Sequence, residues 1–186
     1  RPDELAARVR AKLDRRPVPA ELLRHDPRTG VLAARVLRAE LAREIERAAR
    51  SGTSGAFALL ELDELPAIRT RLGARAEEMI ARRLAELVAD EEHPLDVVGR
   101  LDRGRFGVLL PETGDRAAQQ RLAEISRRVV RARFEAAGER LHFTPTIGFT
   151  AYRGDADGET VERDAAAALG HAASHLDARP TAFTPE

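Results

Sequence analysis

Leu37, Leu41 and Ile45 recur at four-residue spacing within residues 31–50, which sets them on one face of a helix. Leu5, Val9 and Leu13 do the same over residues 3–16, and Pro17 and Pro19 end that earlier stretch. Asp-Pro-Arg-Thr-Gly at 26–30 is turn-forming, and Ser-Gly-Thr-Ser-Gly at 51–55 breaks the helix that follows it. The run Ala-Phe-Ala-Leu-Leu-Glu-Leu at 56–62 is short and apolar, as a buried strand is. A second long helix is expected from Ala74 to Asp90, with Ile80, Leu84, Leu87 and Val88 inward. Asp96–Leu101 and Arg105–Leu110 are apolar runs separated by three turn residues, the pattern of a β-hairpin. Residues 115–136 read as helix, with Leu122, Ile125 and Val129 on one side. Residues 141–151 alternate as a strand does, with Pro145 implying a bulge or an edge position. An alanine-rich helix is expected at about 160–176. From residue 31 the order is α-β-α-β-β-α-β-α, which points to an α+β fold with helices packed on a sheet.

Composition narrows the function. The chain has 186 residues, 43% hydrophobic and 33% charged, as one globular domain with or without an appendage would have. Its 31 basic and 31 acidic residues cancel, which argues against a dedicated nucleic-acid binder. No apolar run approaches the roughly 20 residues of a membrane span. Residues 1–25 carry no apolar signal core, so a cytoplasmic location is expected. The absence of cysteine excludes disulfides, thiolate metal sites and a cysteine nucleophile. Lys12 is the one lysine, so lysine chemistry has no residue to use beyond it.

Several landmarks together resemble the GGDEF domain of diguanylate cyclases over about residues 24–178. Asp26, Thr29 and Gly30 match its opening D-x-L-T-G. Leu60-Glu61-Leu62-Asp63 matches a strand ending in D-x-D, with Ile68 and Gly73 in place downstream. Asp96-Val97-Val98-Gly99-Arg100-Leu101 is similar to the lead-in D-x-V-A-R-L, and Gly107–Thr113 to x-V-L-L-P-x-T. Thr144–Gly148 resembles T-V-S-I-G. The resemblance implies a nucleotide-cyclase-like, mostly antiparallel central sheet flanked by helices. It divides the chain into an N-terminal helix and connector at 1–25, a GGDEF-type domain at 26–180 and a tail at 181–186. The helix at 3–16 is itself similar to the last helix of response-regulator receiver domains.

The signature departs from the family. Its five positions hold Asp102, Arg103, Gly104, Arg105 and Phe106, and only the phenylalanine is kept. The resemblance implies that the two glycines lie against the guanine nucleotide and that the acids after them hold metal. Asp102 and Arg103 would fill that space, and Arg105 would repel a cation that two-metal catalysis needs. Other positions implied by the family decay in parallel. The first acid of D-x-D, a metal ligand in the family, becomes Glu61, while Asp63 keeps its place, and these two are the candidates if any metal still binds; a phosphate-facing lysine becomes Pro66, and the guanine readers become Arg69 and Glu78. The late lysine falls near Ala173. The inhibition site R-x-x-D reads His93-Pro94-Leu95-Asp96, without the arginine whose planar fork grips guanine and phosphate.

The expectation is therefore a pseudo-enzyme: a catalytically inactive signalling module acting through protein–protein contact, with a receiver domain or another protein as partner. Two alternatives stand beside it, a sensor binding GTP or cyclic di-GMP without turnover, and a weak diguanylate cyclase. No cofactor is expected, with residual magnesium and GTP as the exception. A homodimer is compatible with the family, and neither nucleic acid nor membrane is an expected partner. Arg69 and Arg105, near Glu61 and Glu78, are expected to pair internally and close the former nucleotide cleft. His171 and His175 are four apart but lack the glutamate of a zincin helix, and read as solvent-facing polar residues.

Overall fold

The computed structural model describes residues 24–89, 93–174 and 180–184. The helix expected at 3–16, the segment at 90–92 and His175 lie outside these residues. In chain order the elements are β1 (Leu32–Ala33), α1 (Ala34–Ser51), β2 (Ser54–Glu61), α2 (Leu65–Leu72), α3 (Ala74–Val88), β3 (Val97–Arg100), β4 (Arg105–Leu110), α4 (Asp115–Arg131), β5 (Phe134–Ala136), β6 (Glu139–Leu141), β7 (Thr146–Arg153), α5 (Gly158–Ser174) and β8 (Thr181–Ala182). The main sheet runs β1-β3-β4-β2-β7-β8. Its four middle strands pair antiparallel, whereas β1 pairs parallel to β3 and β8 parallel to β7. The α+β fold class holds, with a mixed sheet whose centre is antiparallel.

Strand β2 shows why the sheet needs helices on both sides. Ala56, Ala58 and Leu60 belong to one buried cluster, with Ile80 and Leu84 of α3 and Leu122 and Ile125 of α4. Phe57 and Leu59 belong to a second, with Leu37, Leu41 and Ile45 of α1 and Val161 and Leu169 of α5. Successive side chains of a strand point to opposite faces, so an unbroken apolar run is what a strand covered on both faces requires. Each buried Leu, Ile or Phe contributes on the order of 1.5–3 kcal/mol relative to exposure.

Four elements differ from expectation. Residues 65–72 form α2, a short helix that the weak apolar period of Leu-Pro-Ala-Ile-Arg-Thr-Arg-Leu conceals; Pro66 falls in its first turn, where a missing N–H costs nothing. The helix expected through 136 stops at Arg131, and Phe134–Ala136 pairs instead with Glu139–Leu141. Ala137 and Gly138 both take positive φ in the two-residue turn between them, and Phe134 packs edge-on against Phe143 with ring centroids 5.0 Å apart. Strand β7 begins at Thr146, so Pro145 precedes it rather than bulging it. The expected tail at 181–186 contributes β8, where Phe183 N–H also donates to the Phe149 carbonyl.

Candidate functional site: the signature turn and its cleft

The turn between β3 and β4 carries Asp102, Arg103 and Gly104, with Arg105 and Phe106 opening β4. Arg105 and Glu61 are direct cross-strand partners, and the Arg105 Nε donates to the Glu61 carboxylate. Opposite charges at paired positions of an antiparallel sheet attract one another, so the register itself brings these two together. Asp102 closes the turn from within: its Oδ1 accepts from Gly104 N–H at 3.1 Å and Arg105 N–H at 3.0 Å. Arg100 lies beneath, only 6% exposed. Its guanidinium donates to the carbonyls of Asp102 at 2.9 Å and Arg103 at 2.8 Å, and to Asp26 Oδ1 at 3.2 Å. Asp26 also accepts from the Thr29 N–H at 2.9 Å and hydroxyl at 2.8 Å. Burial pushes the Asp26 carboxyl up, but the Thr29 and Arg100 hydrogen bonds outweigh it and hold the group below its ordinary 3.8.

Beside the turn lies a cleft of about 530 Å³. Glu61, Asp63, Arg69, Asp102, Arg103 and Gly104 line it, with Leu62, Leu65 and Pro66 as apolar wall. The fold thus gathers most of the sequence-named site residues around one space. The cleft is open, contrary to the expectation of closure by ion pairs. Of those pairs, Arg105–Glu61 forms as expected, but Arg69 does not meet Glu78. Arg69 Nη1 donates to Glu77 at 2.8 Å, and Glu77 is 5% exposed. Glu78 points away from the cleft and pairs with Arg28 at 3.4 Å, one residue of helix rotation having turned it about 100° from Glu77. Phe106 is fully buried in the core rather than in the cleft.

His93 and Asp96 lie apart from this cleft. Asp96 N–H donates to the His93 carbonyl at 3.0 Å, and the Asp96 carboxylate accepts from Arg121 Nε at 2.8 Å. Arg121 is 6% exposed on the inward face of α4. Its side chain supplies a guanidinium to Asp96 from a different element than the family's R-x-x-D would. Arg100, Glu77 and Arg121 carry these contacts, and the sequence reading gave none of them a role. Arg121 had a legible signal, because it falls on the same helical face as Ala118, Leu122 and Ile125.

Magnesium is the metal that the family implies, and the residues present do not fit it. Glu61 is held by a guanidinium, Asp63 accepts a hydrogen bond from the Thr146 hydroxyl at 2.8 Å, and Gly104 offers no side chain. Among the described residues no three His, Asp or Glu groups converge on one point. A fixed positive charge about 4 Å from a unit cation costs roughly 4 kcal/mol at a surface-like effective dielectric, and twice that for a dication.

A mixed sheet with helices on both faces and a β3–β4 turn bordering a cleft agrees with the nucleotide-cyclase-like class that the sequence resemblance implies. The family model described as the diguanylate cyclase GGDEF domain matches residues 23–177, and this chain belongs to that family. The diguanylate cyclase DgcP of Pseudomonas aeruginosa is 30% identical over 144 residues, covering 77% of this chain and 22% of DgcP. The chain thus spans about a fifth of that relative's length. The GGDEF domain of DgcB from Caulobacter crescentus, solved in complex with c-di-GMP, superposes with a TM-score of 0.81 at 22% identity, covering 87% of this chain and 94% of the other. Diguanylate cyclase SiaD of Pseudomonas aeruginosa, solved with its activator SiaC, gives a TM-score of 0.76 at 26% identity, covering 96% of this chain and 71% of SiaD. Among the described residues no helix is long and apolar enough to cross a membrane.

Proposed function

We propose that this chain is a GGDEF domain that no longer synthesises a dinucleotide and works by protein–protein contact in a cytoplasmic bacterial signalling protein. The observation that carries the reading is the Arg105 guanidinium seated on Glu61. Phosphoryl transfer between nucleotides rests on cations and positioning, and here the chain's own cation takes up the carboxylate. Asp102 and Arg100 hold the turn through hydrogen bonds that need no nucleotide. The relative SiaD, solved with an activator protein, supports contact with a protein partner as a use of this fold. A receiver domain of the same chain is one such partner, and a second copy is another.

The open cleft favours one second reading, a sensor that binds GTP or cyclic di-GMP without turnover, with Arg69 and Arg103 at its rim. One pair of experiments separates the readings. The chain is incubated with GTP and magnesium and assayed for dinucleotide, then titrated by calorimetry with GTP–magnesium and with cyclic di-GMP. No product and no heat is the expected outcome. Heat without product moves the assignment to the sensor. Product formation overturns the loss of catalysis and leaves a cyclase with an altered site.

A further inference from the structure

The outward face of α4 carries a line of cations. Arg116, Arg127 and Arg131 stand at intervals of eleven and four residues, which returns them to nearly the same side of a 3.6-residue helix. All three are exposed, and none has an acidic partner among the described residues. Elsewhere on the surface Arg38, Arg43, Arg47 and Arg83 each hold a carboxylate at 2.7–2.9 Å. The line spans about 22 Å of helix axis at 1.5 Å per residue.

Two grooves flank it and share Arg127 and Glu124. One, of about 680 Å³, runs past Arg116, Gln120 and Ala123 to Pro180. The other, of about 380 Å³, runs past Arg128 and Arg131 to Arg83 and Leu87 of α3. Ala123 makes a low point between the longer side chains, and Val130 beside Arg131 is 44% exposed. A cationic line with a shallow floor and an apolar neighbour suits a segment that offers carboxylates at intervals and a small apolar side chain.

We propose that this face of α4 docks an acidic segment of a protein partner. The charge pattern selects protein over nucleic acid. Glu124 stands within the line, its side chain 49% exposed, and meets Arg121 only at 3.6 Å. A continuous phosphate backbone laid along α4 would face that carboxylate, whereas a peptide places an uncharged residue or a lysine opposite it. The net charge of zero also fits a local patch rather than a general polyanion surface. The proposal rests on the reading that the domain acts by protein contact, and it names the surface and the chemistry.

The test uses the whole 186-residue chain with three probes. These are a labelled peptide with glutamates at four-residue spacing, its glutamine counterpart, and a short DNA duplex. Binding is read by fluorescence anisotropy and mapped by backbone amide shifts. The expected result is binding of the glutamate peptide alone, shifts concentrated on residues 115–132, and weakening with salt. Arg127→Gln with Arg131→Gln should weaken binding at least about tenfold, which is about 1.4 kcal/mol. Arg131→Glu should weaken it further, and Arg50→Gln on α1 should leave it unchanged. These are exposed side chains, so a melting curve close to that of the parent chain accompanies a valid variant. No glutamate-peptide binding, shifts mapping elsewhere, unchanged affinity in the α4 variants, or tighter binding of the DNA would each overturn the proposal. Turnover of GTP together with peptide binding on α4 would sink the loss of catalysis while leaving this surface standing.

Discussion

At the scale of single residues, Arg105 decides most. It lies opposite Glu61 in the β2–β4 register, and the two side chains meet. The pair is partly exposed, 38% and 28% by side chain, so its contribution to stability is small, about 1 kcal/mol or less. Its effect on cation binding is larger, because it neutralises the carboxylate that a metal would need. Arg105→Glu sets a third carboxylate beside those of Glu61 and Asp63. Titration with manganese, followed by electron paramagnetic resonance, should then show at least about tenfold tighter binding than in the parent chain. Equal affinity in both would mean that Arg105 is not what bars a cation. The contact between Arg105 and Glu61 was legible in the sequence because the hairpin and the neighbouring strand were. The Arg69–Glu77 pair was not, since the weak apolar period of residues 65–72 conceals α2, whose direction decides which of two adjacent glutamates Arg69 reaches.

At the scale of elements, β7 and α5 approach one another closely through Gly148. A Cβ built at Gly148 would run into the backbone of Leu169 and Ala168. Backbone cannot swing aside as a flexible side chain does, so α5 would have to lift from the sheet, opening the cluster that holds Phe57, Val161 and Leu169. Gly148→Ala should therefore cost at least about 3 kcal/mol in urea unfolding. Gly170, in the same helix with nothing near its missing Cβ, is the matched control. Gly170→Ala should be neutral or stabilise by about 0.5–1 kcal/mol, as an exposed helical glycine predicts. Similar losses at both positions would show that helix propensity, not close approach, governs Gly148. The sequence placed β7 and α5 but could not show that they touch through a glycine, because that contact joins residues about twenty apart.

At the scale of the whole molecule, the two helices on one face are tied by charge. Arg38 of α1 donates through Nε and Nη2 to Glu162 of α5, both at 2.8 Å. That hydrogen bonding, against the opposing effect of burial, holds the Glu162 carboxyl below its ordinary 4.5. Asp26 is depressed as well, so both groups lend stability at neutral pH. That contribution is lost as pH falls through their ordinary values of 4.5 and 3.8 toward the lower folded ones. On the alkaline side, burial pushes the Tyr152 hydroxyl well above its ordinary 10.0, and no group among the described residues accepts or donates to it. The neutral form is favoured in the folded state, so its contribution is present below pH 10 and is lost as pH rises beyond it. Melting temperature should be flat around neutrality and fall on both sides. Arg38→Gln should soften the acid limb and Tyr152→Phe the alkaline one. Unchanged limbs in both variants would mean that other groups set the pH range.

The sequence by itself determined the family, the α+β class, and the main strands and helices. Each of these is written in local periodicity or in residue types at fixed spacing. Tertiary structure alone decided the partners: Arg69 with Glu77, Arg121 with Asp96, and Arg100 beneath the turn with Asp26. It also left the cleft open where charge pairing was expected to close it. The physical reason is distance along the chain. A pattern of apolar spacing reports which face of an element is buried, but which charge lies opposite on another element follows from register, helix rotation and packing.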